Sequence, residues 1–351
     1  LVERPGSGAT RRRYLVPLGT FRGHDTAAWQ LGADLKFALV EVATRRAGGS
    51  ASRRVVPVDQ LDRRELDDLI DAFARSPGPR RFARLPDLMG VINVTPDSFS
   101  DGGRFLDPAA AIAQALALAD AGAAILDVGG ESTRPGATPV PPEIEIGRVL
   151  PVVAALAARG LVVSIDTRHA ATMRAALAAG ARIVNDVSAL THDPQSLEVV
   201  AEAGCDVVLM HAQGDPRTMQ LDPRYDDAPL DVYDFLEARV RACFDAGIAR
   251  ERIMVDPGIG FGKTLEHNLQ ILRALAMYRG LGCRVLLGAS RKSFIAKAVG
   301  APGLAPDARL PGSIAAALAG FRAGIDVIRC HDVAETLQAL RVADAIEAAW
   351  S

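Results

Sequence analysis

Lysine is scarce in this chain. Of 40 basic side chains, 36 are arginine, and the lysines are Lys36, Lys263, Lys292 and Lys297. Asparagine occurs three times, at Asn93, Asn185 and Asn268. The four cysteines, Cys205, Cys243, Cys283 and Cys330, are far apart and form no CxxC pair. That spacing favours buried free thiols in a reducing cytoplasm over disulfides or a zinc site. His24, His169, His192, His211 and His267 show no zinc spacing either. No apolar run reaches the roughly 18 residues of a spanning helix, and no signal-peptide core follows the arginine-rich start. A net charge of −2 argues against a surface built for nucleic acid, although anions can still be held locally.

What remains is an ordinary globular composition, 49% hydrophobic and 23% charged over 351 residues, enough for two domains or one large one. The charge divides unevenly. Residues 1–87 carry 16 basic and 11 acidic side chains, and residues 88–351 carry 24 and 31. Ser76-Pro77-Gly78-Pro79 and Pro86 read as a linker at this junction. Before it, Leu35, Phe37 and Leu39 alternate like a strand running to about Val42. Leu66, Leu69, Ile70 and Phe73 have helical spacing, with Asp59 as the expected N-cap. The first part is therefore expected to be a small α+β appendage without chemistry of its own, and Arg11-Arg12-Arg13 a solvated tail.

From Leu88 onward, short apolar runs alternate with alanine- and leucine-rich helical stretches. The runs are 88–94, 123–128, 161–165, 182–187, 206–210, 252–255, 284–287 and 326–329. Eight strand-then-helix units with nearly continuous apolar strands predict a closed (β/α)8 barrel over 88–351 rather than an open sheet. In such a barrel, function sits in the loops after the strands.

Those loops are rich in polar residues. The first four strands lead into Asn93-Val94-Thr95-Pro96-Asp97-Ser98-Phe99, Asp127-Val128-Gly129-Gly130-Glu131-Ser132-Thr133-Arg134-Pro135, Ser164-Ile165-Asp166 and Asn185-Asp186. The last four lead into Met210-His211, Asp256-Pro257-Gly258-Ile259-Gly260-Phe261-Gly262-Lys263, Ser290-Arg291-Lys292-Ser293 and Arg329-Cys330-His331. One aspartate at a strand end usually caps the next helix. Eight such clusters at one barrel face exceed what capping needs. In this order they resemble the dihydropteroate synthases of the pterin-binding barrel family. Ala212 and Gln213 depart from that pattern, standing where a bulkier residue and an arginine are expected.

The resemblance implies condensation of 6-hydroxymethyl-7,8-dihydropterin pyrophosphate with 4-aminobenzoate, giving 7,8-dihydropteroate and pyrophosphate. A pterin edge presents adjacent N–H donors that a carboxylate can accept in pairs, which suits Asp256, with Asp166 and Asn185 on the remaining nitrogens. Met210 is expected against the flat ring, and Lys292 as donor to the pterin carbonyl and ring nitrogen. Pyrophosphate is expected at Asn93, Thr133, Arg134, Arg329 and His331. Asn93 would ligate Mg2+ through its amide oxygen. Phe99, Thr133, Pro135, Phe261 and Ser293 would form the 4-aminobenzoate pocket. Catalysis is assigned to Lys292, Asp97, Arg329 and His331, while Lys263 serves either loop bracing or the site itself. The family also implies a homodimer. Two alternatives stand beside this reading, a methyltransferase moving a methyl group from methyltetrahydrofolate to a corrinoid and a non-catalytic pterin-binding paralogue. Neither would require the full set of loop residues.

Overall fold

The computed structural model describes residues 12–19, 21–22, 29–31, 35–45, 51–75, 85–95, 108–132, 139–214 and 218–349. The proposed linker residues 76–79, and Asp97, Phe99, Thr133, Arg134 and Pro135 among the expected site residues, lie outside this set.

Among the described residues the amino-terminal part has six strands and one α-helix: β1 (Arg13–Leu18), β2 (Phe21–Arg22), β3 (Trp29–Leu31), β4 (Leu35–Phe37), β5 (Leu39–Arg45), β6 (Ala51–Pro57) and α1 (Arg63–Arg75). They form two antiparallel sheets, ordered β1-β5-β6 and β2-β4-β3. The single strand expected from Leu35 to Val42 is thus two strands. The chain changes sheets at Ala38, so β4 pairs with β2 and β3 while β5 pairs with β1 and β6. Asp59 is not the helix cap. It lies in a 3-10 turn, Val58–Gln60, after which Leu61 is extended, and the N–H of Glu65 donates to Asp62 Oδ1 (2.8 Å). A small core of Phe37, Val40, Val42, Val56, Val58, Leu61 and Leu66 lies between sheet and helix.

The barrel elements follow in strict alternation at first: β7 (Asp87–Asn93), α2 (Pro108–Asp120), β8 (Ile125–Gly129), α3 (Pro142–Ala157), β9 (Val163–Asp166), α4 (Ala170–Ala178), β10 (Ile183–Asp186) and α5 (Ser196–Ala203). The second half comprises β11 (Asp206–Met210), α6 (Ala228–Asp245), β12 (Ile253–Asp256), α7 (Leu265–Arg273), β13 (Arg284–Leu287), α8 (Ser293–Ala298), α9 (Leu310–Arg322), β14 (Val327–Cys330) and α10 (Val333–Ala348). All eight strands pair in parallel, and β14 returns to β7 to close the barrel. The alternation therefore reports the fold correctly. One element escapes it: α8, a short helix between β13 and α9.

The amino-terminal part docks on α6. Tyr14, Val16 and Ala43 join the main apolar core. Around them, Arg12 pairs with Asp234 (2.6 Å) and Glu237 (2.7 Å), and Arg45 with Asp231 (2.8 Å) and Asp234 (2.9 Å). Arg53 reaches Asp227 (2.5 Å), the N-cap of α6, and also pairs with Glu41. Arg12 is therefore no solvated tail, and Arg13 pairs with Glu65. Acids at 227, 231, 234 and 237 fall on one helical stripe, which is what these arginines need. The four cysteines are buried thiols, and burial raises their pKa values to about 11 or 12.

Candidate active site

Parity along the strands decides which side chains reach the barrel mouth. Successive side chains alternate between the interior and the helix layer. Met89, Ile125, Ile183, Val208, Met254, Leu286 and Val327 pack together as an apolar layer inside the barrel. Two residues farther along their strands stand Asp127, Asn185, Met210, Asp256 and Arg329, so they form the next layer toward the C-terminal ends. Asp166 has the same parity as Val162, which packs on the apolar layer. Gly288 takes the corresponding place after β13. A methyl group there would stand at ordinary contact distance from both Asp256 Oδ2 (3.5 Å) and the Arg329 stem (3.9 Å), so Gly288 borders the two charges.

Arg329 lies across this layer. Its Nε donates to Asp127 Oδ2 (2.6 Å) and its Nη2 to Asp166 Oδ2 (2.7 Å). Asn185 Nδ2 donates to the same Asp127 oxygen (3.0 Å). Asp127 is fully buried, and its Oδ1 has no partner among the described residues. Sequence reasoning gave Asp127 no role, although its parity with Ile125 was a usable sign. Asp256 is 4% exposed, and its Oδ1 accepts from the N–H of Gly258 (2.7 Å).

Burial raises the pKa of Asp166, against the pull of Arg329, and the carboxylates of Asp127, Glu145 and Asp186 add to the rise. Burial also raises Asp256, opposed first by Lys292. Lys292 is held down to about 8, chiefly by burial, with Asp256 pulling upward and Arg329 downward. Each of these charges is thus disfavoured where it stands. A ligand that brings N–H donors to the carboxylates and acceptors to the cations would relieve them.

Lys292 reaches the mouth through a strained turn. Arg291 has φ 58°, a left-handed conformation unusual outside glycine. Its guanidinium is held by Asp332 (3.0 and 2.6 Å), its N–H donates to Ser313 Oγ (2.8 Å), and Arg309 donates to its carbonyl (2.8 Å). Lys292 Nζ then donates to the carbonyl of Ile259 and stands 4.5 Å from the centre of the Phe261 ring. His331 shares a hydrogen bond between Nδ1 and Ser290 Oγ (3.0 Å). Asn93 ends β7, and Ser293 is exposed at the first residue of α8.

The loops after β11 and β12 are tightly built. Gln213 clamps the peptide of Arg224, accepting from its N–H (2.9 Å) and donating to its carbonyl (2.8 Å), which gives this departure from the family pattern a structural job. Tyr225 Oη donates to the carbonyl of Gly262 (2.8 Å), and Asn268 Oδ1 accepts from the N–H of Gly260 (2.7 Å). Lys263 is buried, with its Nζ bonded to groups of both loops. On the second loop, Glu131 binds Arg168 through both oxygens (3.0 Å each), and fully buried Glu145 accepts from Thr167 (2.8 Å) and Thr172 (2.7 Å).

Residues 89–331 match the sequence profile of a family described as pterin binding enzyme. The dihydropteroate synthase of Escherichia coli K12 is 46% identical over 261 residues, covering 74% of this chain and 91% of that protein. The Xanthomonas albilineans dihydropteroate synthase solved with 4-aminobenzoic acid superimposes with a TM-score of 0.70 at 43% identity, covering 84% of this chain and 96% of that one. The same enzyme in complex with 7,8-dihydropteroate gives 0.68 at 44% identity, covering 75% and 94%.

Proposed function

The chain belongs to the pterin-binding enzymes as a dihydropteroate synthase, and from that premise we propose how its own residues divide the work. It is a transferase that joins 6-hydroxymethyl-7,8-dihydropterin pyrophosphate to 4-aminobenzoate and releases pyrophosphate. The observation that carries the reading is the convergence of Asp256, Asp166, Asn185, Lys292 and Arg329 at one barrel mouth, with unused acceptor capacity on buried carboxylates.

Asp256 accepts the paired N–H groups of the pterin edge, and its burial makes that acceptor strong by excluding water. Asp166 and Asn185 take the remaining nitrogens, and Met210 packs on the ring face. Lys292 donates to the pterin carbonyl and ring nitrogen. Its compact ammonium suits a slot between the Ile259 carbonyl and the Phe261 ring that a planar guanidinium would not enter. Phe261 and Ser293, with Phe99, Thr133 and Pro135, form the 4-aminobenzoate side.

Departure of pyrophosphate leaves positive charge on the methylene carbon, which the aniline nitrogen attacks. Arg329 is already held by Asp127 and Asp166, so it meets the leaving group without reorganising. His331, Arg134 and Thr133 complete the anion site. The ammonium of Lys292 opposes the developing cation, and Asp256, Asp166 and Asp97 offset it. The aniline loses its proton after attack, so no general base is required.

Among the described residues no group of three or more His, Cys, Asp or Glu could hold a metal. The donor available is the neutral amide oxygen of Asn93, which fits Mg2+ carried mainly by pyrophosphate oxygens and water. Bound there, Mg2+ would lower the charge on the leaving group. We further propose a homodimer acting in the cytoplasm on small-molecule substrates. Among the described residues no helix is long and apolar enough to cross a membrane.

The test is direct. Purified protein with the dihydropterin pyrophosphate, 4-aminobenzoate and Mg2+ should form 7,8-dihydropteroate. Pterin binding without product would make it a binding protein, and methyl transfer to a corrinoid would move it to the methyltransferases.

A further inference from the structure

Lys263 is 2% exposed and His211 6% exposed, and no substrate contact assigned above uses either. They meet where two loops lie backbone against backbone. A methyl group on Gly258 would fall 1.9 Å from the His211 carbonyl oxygen, and one on Gly262 2.2 Å from that of Gln213. Both glycines have positive φ, 69° and 61°, a backbone path that glycine follows without strain and that brings the two loops this close. Lys263 Nζ sits in this seam. It donates to the Phe261 carbonyl (3.0 Å) and the His211 carbonyl (3.3 Å), and shares a hydrogen bond with His211 Nδ1 (2.9 Å). The His211 ring stands edge-on to Phe235, with centres 4.9 Å apart. Its backbone N–H donates to the Asp256 carbonyl (3.0 Å). The Lys263 nitrogen therefore has a partner in each of three directions, on two loops.

We infer that Lys263 and His211 are a positioning pair, which fixes Phe261 against the end of β12 and so sets the distance between the 4-aminobenzoate wall and the pterin-facing Asp256. The inference rests on the roles given to Phe261 and Asp256 under the proposed function. A lysine is an unusual choice for a buried brace, since removing an ammonium from water is costly unless every donor is met. Here a single nitrogen ties three points on two loops, which a hydroxyl or one amide could not do.

Variants at one position separate positioning from packing. His211→Phe keeps an aromatic body beside Phe235 and removes the acceptor for Lys263. His211→Asn keeps a hydrogen-bonding group near the place of Nδ1 and removes the ring. Lys263→Met keeps the apolar stem alone. Positioning predicts that His211→Phe and Lys263→Met weaken 4-aminobenzoate binding and raise its KM by at least about tenfold. His211→Asn should stay within about threefold of wild type although it melts lower than His211→Phe. Calorimetric titration of 4-aminobenzoate with pyrophosphate and Mg2+ present reads the pair even if no turnover is seen, so failure of the reaction assay is a separate result. Affinity that follows melting temperature, with His211→Phe the better binder, or wild-type affinity in all three variants, overturns the inference.

Discussion

At the seam with α6, Arg12, Arg45 and Arg53 pair with Asp227, Asp231, Asp234 and Glu237; at the barrel mouth, Arg329 pairs with Asp127 and Asp166. The contacts are chemically alike, and their settings differ. At the Arg12–Asp234 pair of the seam both partners keep access to water, with side chains 27% and 32% exposed. Such pairs fix register and contribute little each, about 0–1 kcal/mol. At the mouth Asp127 is fully buried, and an acceptor there, Asp127 Oδ1, is left without a partner among the described residues. The seam has an orphan too, but it is a donor, Arg12 Nε, beside groups that are otherwise matched. A cluster that holds two parts of a chain together meets its own charges. The cluster at the mouth, where the substrate is proposed to bind, keeps an acceptor in reserve.

The sharpest way to break this contrast is at Asp256. In the proposed pterin site, Asp256→Asn replaces an acceptor with a donor opposite the pterin N–H groups. It should lower kcat/KM by about 30- to 1,000-fold, equivalent to roughly 2–4 kcal/mol. A folded variant that loses less than about threefold would remove Asp256 from the substrate edge.

A smaller effect concerns assembly of the second subsite. If pyrophosphate and Mg2+ engage Asn93, Asp97 and Arg134, 4-aminobenzoate should bind about tenfold more tightly in their presence, a coupling of about 1.4 kcal/mol. The gain should shrink in Asp97→Ala. Equal affinities with and without pyrophosphate would sink the idea.

The mouth should also show itself in pH dependence. With the Lys292 pKa lowered to about 8, kcat/KM should fall as pH rises through about 8, approaching tenfold per unit as the ammonium is lost. Stability runs the other way. Between about 8 and the ordinary 10.5 the unfolded chain holds the Lys292 proton and the folded chain does not, so this group's contribution to stability rises with pH. Denaturant titrations of wild type and Lys292→Met at pH 7.5 and 9.5, values chosen to bracket this shift, read the difference. A gap that narrows in favour of the variant at high pH contradicts the assignment.

The seam should respond least. Removal of residues 1–84 is expected to lower Tm while leaving kcat/KM within a few-fold. Arg12→Ala alone should cost no more than about 1 kcal/mol in denaturant unfolding. A folded truncation without turnover would show that the amino-terminal sheets contribute to the site, and would end the contrast.

Much of this is legible in the sequence. Alternating apolar and helical runs reported the eight-stranded barrel because strand and helix periodicities are local. The same parity that buries Met254 carries Asp256 to the mouth, two residues on. The amino-terminal part was read less well. Asp59 had the chemistry of a cap, yet the helix began at Arg63 behind Asp62 because Leu61 turned inward first. Arg12 had the composition of a tail, and only the acidic stripe of α6 gave it a partner.

By itself, then, the sequence determined the eight-stranded barrel, the end of it at which polar and charged residues gather, and the kinds of residue found there. Tertiary structure alone decided which of them touch. Arg329 and Asp127 are 202 residues apart and share a hydrogen bond because β14 closes against β7, bringing β8 within reach. Lys263 became a buried brace because the loops after β11 and β12 press their backbones together around it. Desolvation and proximity belong to the folded neighbourhood, and a residue's local sequence does not contain them.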